Sequence, residues 1–188
     1  SNCTSESGLT NDVEVESSVF RLTCGHAFHK TCVEQWFSQK MRCPMCQWNC
    51  GRMVGDQPRT GSMSWKLESF ALPGHPTSSD TIIVEFAFPS GTDSAGEQFE
   101  SRKEKCYLPG DIQGILLLEL FRIAFRRCVM FGLGTSMALG VFRPTFNIHL
   151  KTRTHSGETA HGYPDALYFR RCLEELQNNC VTVADIAA

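Results

Sequence analysis

The sequence predicts an α+β chain in two parts, a small metal-held Cys/His module followed by a mixed α+β domain. Three observations carry that prediction. Residues 24–46, "CGHAFHKTCVEQWFSQKMRCPMC", place four cysteines and two histidines at short, mixed spacings. "TIIVEFAFPSG" alternates apolar and polar side chains with the period of a half-buried strand. "DIQGILLLELFRIAFRRC" repeats apolar residues at helical spacing.

The first module follows from its ligand types. The spacing is Cys24-x-His26-x2-His29-x2-Cys32-x10-Cys43-x2-Cys46. Zinc takes four N/S ligands in a tetrahedron, and a Cys-x2-Cys turn sets two thiolates on one ion with little strain. Six such residues exceed one zinc and fall short of two. Cys3 supplies a seventh, and the eighth would lie before Ser1. Histidine mixed into short Cys spacings points to zinc instead of disulfides. Five of the ten cysteines fall between Cys24 and Cys50. Cys106, Cys128, Cys172 and Cys180 are scattered through sequence that otherwise reads as core, where cysteine acts as a small hydrophobe. A reducing compartment, cytoplasm or nucleus, is the expectation. No signal peptide is expected.

After Cys46 the chain turns Gly- and Pro-rich and reads as a short connector, so we divide it into 1–50 and 51–188. The second part alternates pattern types. "SMSWKLESF" reads as a strand. In "TIIVEFAFPSG" Ile82, Val84, Phe86 and Phe88 share one face. "EKCYLPG" ends a further strand at a turn. The next segment is a helix with Leu117, Leu120, Phe121, Ala124, Phe125 and Cys128 inward. "VMFGLGT" and "TFNIHLKT" read as strands. "PDALYFRRCLEELQNNC" reads as a second helix, with Pro164 near its start and Leu167, Phe169, Cys172, Leu173 and Leu176 mostly inward. Mixed strands with two long helices give an α+β domain of about 130 residues, an ordinary size.

Composition excludes several function classes. The net charge of −2 gives no basis for bulk nucleic-acid binding. The most apolar run, "GILLLELFRIAFRRCVMFGLG", is broken by Glu119, Arg122, Arg126 and Arg127 and is too short to span a bilayer. "GLGTSMALG" fails the dinucleotide fingerprint, because Met137 stands where the third glycine is required.

The Cys/His order, with Trp36 four residues after Cys32 and Pro44 inside the last Cys-x2-Cys, resembles a RING finger. A treble-clef ribbon or a PHD-type finger also binds zinc, but PHD fingers order their ligands differently. "GRMVGDQPRTGSM", "SFALPGHP", "CYLPGDIQG", "FGLGTS", "NIHLKT" and "HGYPDALYF" follow in one order. Together with the RING pattern they resemble the Deltex family of RING ubiquitin ligases, from about Cys24 to the end of the chain. The chain departs from that family in two places. Deltex proteins usually carry two consecutive histidines before "KT", whereas here His149 is followed by Leu150. The segment between Gly140 and His149 is also shorter than usual.

The resemblance implies a fold, a chemistry and a set of partners. The fold is a small zinc-bound RING finger followed by a mixed α+β Deltex C-terminal domain. RING ligands interleave, so Cys24, His26, Cys43 and Cys46 would hold one zinc. His29, Cys32, Cys3 and one further residue would hold the second. The RING would recruit a ubiquitin-conjugating enzyme charged with ubiquitin through a groove that includes Trp36 and Pro44. Trp36 has a second reading, as packing for a module with almost no core. The C-terminal domain would bind ADP-ribose, free, within NAD, or on an ADP-ribosylated protein or nucleic acid. No membrane partner is implied, and the oligomeric state is open. Members of the family are linked to Notch signalling and DNA-damage responses. The pocket motifs map onto Thr135, Ser136, His149, His161 and Tyr163, with Glu175 as the acidic partner of a catalytic His161.

Those residue types suit the chemistry. A ribose hydroxyl attacking a thioester needs a base that takes its proton as the bond forms, and histidine does this near neutral pH. A carboxylate can orient the ring and stabilise the imidazolium. "GTS" offers N–H groups and hydroxyls for phosphate oxygens. Each residue also has a plainer reading: His161 as a turn residue, His149 as a semi-buried strand histidine, Tyr163 as core or a turn clamp. Helical spacing does not choose between Glu174 and Glu175. Three functions follow: a ligase that ubiquitinates an ADP-ribose hydroxyl, a ligase that reads ADP-ribose and modifies lysines only, and a non-catalytic zinc interaction module.

Overall fold

The computed structural model describes residues 19–22, 24–37, 42–47 and 55–186. Cys3 and Cys50 lie outside them. The chain divides into two compact units, 1–50 and 51–188. In the first, strands β1 (Val19–Arg21) and β2 (Ala27–His29) form an antiparallel hairpin with Phe20 opposite Phe28. Gly25 turns the hairpin at φ +88°, a left-handed backbone that a side chain disfavours. Helix α1 (Lys30–Phe37) follows at once. Among the described residues the buried apolar set is Leu22, Val33 and Cys43, flanked by Cys24, Phe28 and Phe37. So small a core does not hold a fold by apolar burial alone, which is the physical case for a structural metal. Trp36 is half-buried and its Nε1 donates to the Arg42 carbonyl at 2.7 Å.

The second unit is built on an antiparallel sheet of β3 (Ser62–Glu68), β4 (Thr81–Phe88) and, after two short strands β5 (Gly91–Thr92) and β6 (Gln98–Phe99), β7 (Arg102–Pro109). β4 runs in the centre of β3 and β7. Ile82, Val84, Phe86 and Phe88 of β4 are all buried, as their alternation predicts. α2 (Ile112–Arg126) starts where Asp111 accepts the Gly114 N–H at 3.0 Å, and its Leu117, Leu120, Phe121 and Ala124 enter the core. β8 (Phe131–Thr135) and β9 (Phe142–Phe146) form a hairpin. Phe131 joins the layers: its ring lies 4.8 Å from Phe88, 5.1 Å from Phe86 and 5.5 Å from Phe146, centroid to centroid. α3 (Tyr168–Asn178) closes the core with Tyr168, Cys172 and Leu176. Among the described residues no helix is long and apolar enough to cross a membrane.

Three expectations shift. The connector is docked from Gly55 onward: the buried Gln57 side chain donates to the Phe125 carbonyl and accepts the Phe131 N–H. The strand expected over "TFNIHLKT" ends at Phe146. Asn147 then turns away, its N–H on Met130 and its side chain on the Val129 carbonyl. From there the His149 backbone bonds to α3 side chains, and the link to a strand is the Lys151 carbonyl, which accepts the Tyr107 N–H of β7 at 2.9 Å. Likewise α3 begins at Tyr168, four residues past Pro164, and half-exposed Leu167 sits outside it while Tyr168 takes the inward place.

Candidate functional site

Two constellations of reactive side chains stand out, one in each unit. In the first, the donor atoms of Cys24, His26, Cys43 and Cys46 all lie within 4.8 Å of one another. The Cys24 turn brings its Sγ 3.4 Å from His26 Nδ1, and Cys43 Sγ lies 3.6 Å from the same nitrogen. A tetrahedral zinc with ordinary Zn–S and Zn–N bonds needs S···N edges of about 3.5 Å, so the donors fit the ion in type, number and spacing. Burial pushes the Cys43 thiol up, but the Cys46 and Met45 backbone N–H groups outweigh it and lower its pKa, favouring the thiolate that zinc requires. His29 closes β2 and Cys32 sits in the first turn of α1, both exposed.

In the second unit α3 presents Tyr168, Cys172 and Glu175, at spacings of four and three, to the backbone of His149. The Tyr168 hydroxyl donates to the His149 carbonyl at 3.0 Å, with the Cys172 thiol on the same oxygen at 3.5 Å. Glu175 accepts the His149 N–H at 2.6 Å, and its other oxygen lies 3.9 Å from His149 Nδ1. Burial pushes the Cys172 thiol up to about 12, so it stays protonated and donates. Ile148 and Leu150, on either side, are buried in the core. The residue that stands in place of a second histidine is therefore a core residue here.

His161 stacks on His149 with ring centroids 5.2 Å apart and planes at 28°. It is exposed, in the left-handed region at φ 56°, after a single 3-10 turn over Glu158–Ala160. The next residue must be glycine: a Cβ on Gly162 would lie 1.7 Å from the His155 carbonyl oxygen. The His161 carbonyl accepts the Arg153 N–H at 3.1 Å, tying the His161 loop to the segment that follows His149.

The remaining sequence-derived residues sit as follows. Tyr163 is 1% exposed, donates its hydroxyl to the Tyr107 carbonyl at 2.8 Å, and precedes a cis bond to Pro164. Thr135 is exposed at the end of β8, and Ser136 opens the β8–β9 turn with its N–H on the Val141 carbonyl. Glu174 is exposed, and the Glu175 carboxylate meets His149, whereas the resemblance implied it as the partner of His161. Three residues escaped the sequence reading: Lys151, Asp165 and Arg171. The first two stand inside "NIHLKT" and "HGYPDALYF", but charged residues in such motifs give no sign of burial.

A zinc-type cluster ahead of a two-histidine α+β domain defines a RING finger joined to a second, specialised domain. Comparison with known families gives both parts: residues 10–47 match the Ring finger domain and residues 54–181 match the Deltex C-terminal domain. The chain belongs to the Deltex family. It is 34% identical over 178 residues to the human protein named Probable E3 ubiquitin-protein ligase DTX3, covering 90% of this chain and 51% of that protein. It is 34% identical over 167 residues to mouse E3 ubiquitin-protein ligase DTX4, covering 81% of this chain and 27% of that one. Human E3 ubiquitin-protein ligase DTX1 is 34% identical over 175 residues, 86% of this chain and 28% of that one. The chain thus spans about half the length of the first relative and less of the others.

Proposed function

We propose that the chain is a RING-type ubiquitin ligase that recruits a ubiquitin-charged conjugating enzyme, binds ADP-ribose or NAD, and directs ubiquitin to an ADP-ribose hydroxyl. The observation that carries this reading is the stack of His161 on His149, with α3 holding His149 at both backbone groups. The burial of Leu150 adds support, because the chain's departure from the family's double histidine falls in the core. The ligase part rests on family membership and on the zinc-type cluster.

In this reading Cys24, His26, Cys43 and Cys46 hold one zinc, and His29, Cys32 and Cys3 contribute to a second. The zinc ions are structural and supply the fold that the small apolar core does not. RING ligases form no covalent intermediate of their own and act by proximity and orientation. His161 takes the proton of the attacking ribose hydroxyl as that oxygen bonds to the thioester carbonyl carbon of ubiquitin. The conjugating enzyme's cysteine leaves as a thiolate. Glu175 positions His149 against His161 and stabilises positive charge on the pair. Thr135 and Ser136 offer hydroxyls to phosphate oxygens, and Tyr163 offers an aromatic wall to a cavity of about 550 Å³ that it lines with His75, Asp111 and Tyr168. Zinc-type spacing instead of disulfides supports a cytoplasmic or nuclear setting.

The test is ubiquitination with activating enzyme, a promiscuous conjugating enzyme, ubiquitin and labelled NAD or ADP-ribose, beside His161→Ala. Label moving onto ubiquitin, and lost in the variant, is expected. Lysine-linked chains without label would leave a lysine ligase whose second domain is at most a reader. No transfer from zinc-loaded protein would overturn the ligase reading.

A further inference from the structure

The two stacked histidines lie on different segments, and their stacking depends on how those segments are joined. Two residues after His149, Lys151 is completely buried, and its Nζ reaches Asp165 at 2.5 Å. Asp165 lies four residues after His161, and its carboxylate is also fully buried. The same carboxylate accepts the Leu167 N–H at 3.1 Å and meets Arg171 of α3 at 2.5 Å. Arg171 in turn pairs with Glu158, on the turn that leads into His161. The faces of Tyr163 and Tyr168 close the Lys151 ammonium at 5.8 and 5.2 Å.

A buried ion pair is poor value as a source of stability, since well-packed apolar side chains in its place are often as stable or more so. What it supplies is direction. An apolar pair tolerates sliding, whereas a desolvated ammonium and carboxylate fix each other's place. We infer that Lys151, Asp165 and Arg171 form a positioning element: they rivet the segment after His149 to the segment after His161, and both to α3, and so set the register of the two imidazoles. None of the three is a catalytic residue. Their effect on ligand rests on the ADP-ribose reading above, but their effect on the stack does not.

The experiment uses the full zinc-loaded chain in four forms: unchanged, Asp165→Asn, Arg171→Gln and Leu120→Ala. Leu120 is a core residue of α2 remote from the rivet in sequence and serves as a destabilised control. The readouts are thermal midpoint, ADP-ribose affinity by calorimetry, and the ring Cε1–Hε1 signals of His149 and His161, assigned by single His→Gln variants. The expected result for Asp165→Asn is histidine ring signals moved out of their stacked positions and affinity weaker by about tenfold or more, the scale of loss a small misplacement causes. Arg171→Gln is expected to do the same to a lesser degree. Leu120→Ala should lower the midpoint and leave both signals and affinity in place. Ring signals unchanged in Asp165→Asn and Arg171→Gln would overturn the inference. So would ring-signal shifts in Leu120→Ala equal to theirs, because the role would then be stability alone. Where Asp165→Asn does not fold, Arg171→Gln decides by the same criteria. If the unchanged chain binds no ADP-ribose, the functional reading fails on its own, and the rivet is still judged by the ring signals.

Discussion

The backbone N–H of His149 donates to the Glu175 carboxylate at 2.6 Å, across 26 positions of chain. Glu175 is one-third exposed and its neighbour Glu174 points to solvent. Glu175→Ala removes a charged acceptor and is expected to cost about 1–2 kcal/mol of stability, with a clear loss of label transfer to ubiquitin. Glu174→Ala should change stability by less than about 0.5 kcal/mol and leave transfer intact. Thermal melts and the transfer assay check both. Equal behaviour of the two variants would remove Glu175 from the site.

Tyr163 separates two readings of one residue. Its hydroxyl is on the Tyr107 carbonyl, and burial pushes its pKa well above that of a free phenol, so it stays a donor at any working pH. Tyr163→Phe should lower stability by about 1 kcal/mol, the worth of one internal hydrogen bond. ADP-ribose affinity is then expected to follow the ring and not the hydroxyl. An affinity loss with stability unchanged would place the hydroxyl on the ligand.

Acid tests the rivet. Burial pushes the Asp165 carboxyl up, but Lys151, the Leu167 N–H and Arg171 outweigh it and hold it below the usual Asp value. The folded protein then binds fewer protons here than the unfolded chain. The stabilisation is therefore complete above the unfolded Asp value of about 3.9 and is lost as pH falls through the folded value. Urea unfolding across pH 6 to about 2.5 should show a steeper loss in the unchanged protein than in Asp165→Asn. Parallel curves would mean that the Asp165 carboxyl titrates alike in the folded and unfolded chain.

How much of this was legible in the sequence depends on whether a feature is periodic. β4 and α2 carry strong periods, and Val84, Phe86, Leu117 and Phe121 are buried where those periods put them. The Cys24–Cys46 spacing marked out a four-donor cluster because metal ligation fixes residue type and interval together. "TFNIHLKT" misled because apolar residues flanking a histidine imitate a strand, while the His149 backbone is bonded to side chains 19 and 26 residues away. Lys151 and Asp165 were opaque for the same reason: a buried ion pair is a tertiary fact, and each residue alone reads as surface.

Zinc removal tests the first unit. A strong chelator is expected to unfold the hairpin and α1, since Leu22, Val33 and Cys43 make up the buried apolar set among its described residues. The sheet unit has its own extensive core and should keep its helices and its histidine signals. Zinc release by a colorimetric dye and amide spectra of both units follow this directly. Loss of the Phe131 and Leu120 signals together with those of α1 would show that the second unit does not stand alone.

The hydrogen-bonded grip of α3 on residue 149 is on the peptide, at both N–H and C=O, while the imidazole meets α3 at the 3.9 Å approach of Glu175. The site thus separates holding from chemistry at that position. A side chain of another kind can be installed at 149 while its mounting stays in place. His149 is accordingly the natural socket for altering what the domain recognises, whereas changes at Tyr168 or Glu175 disturb the mount itself.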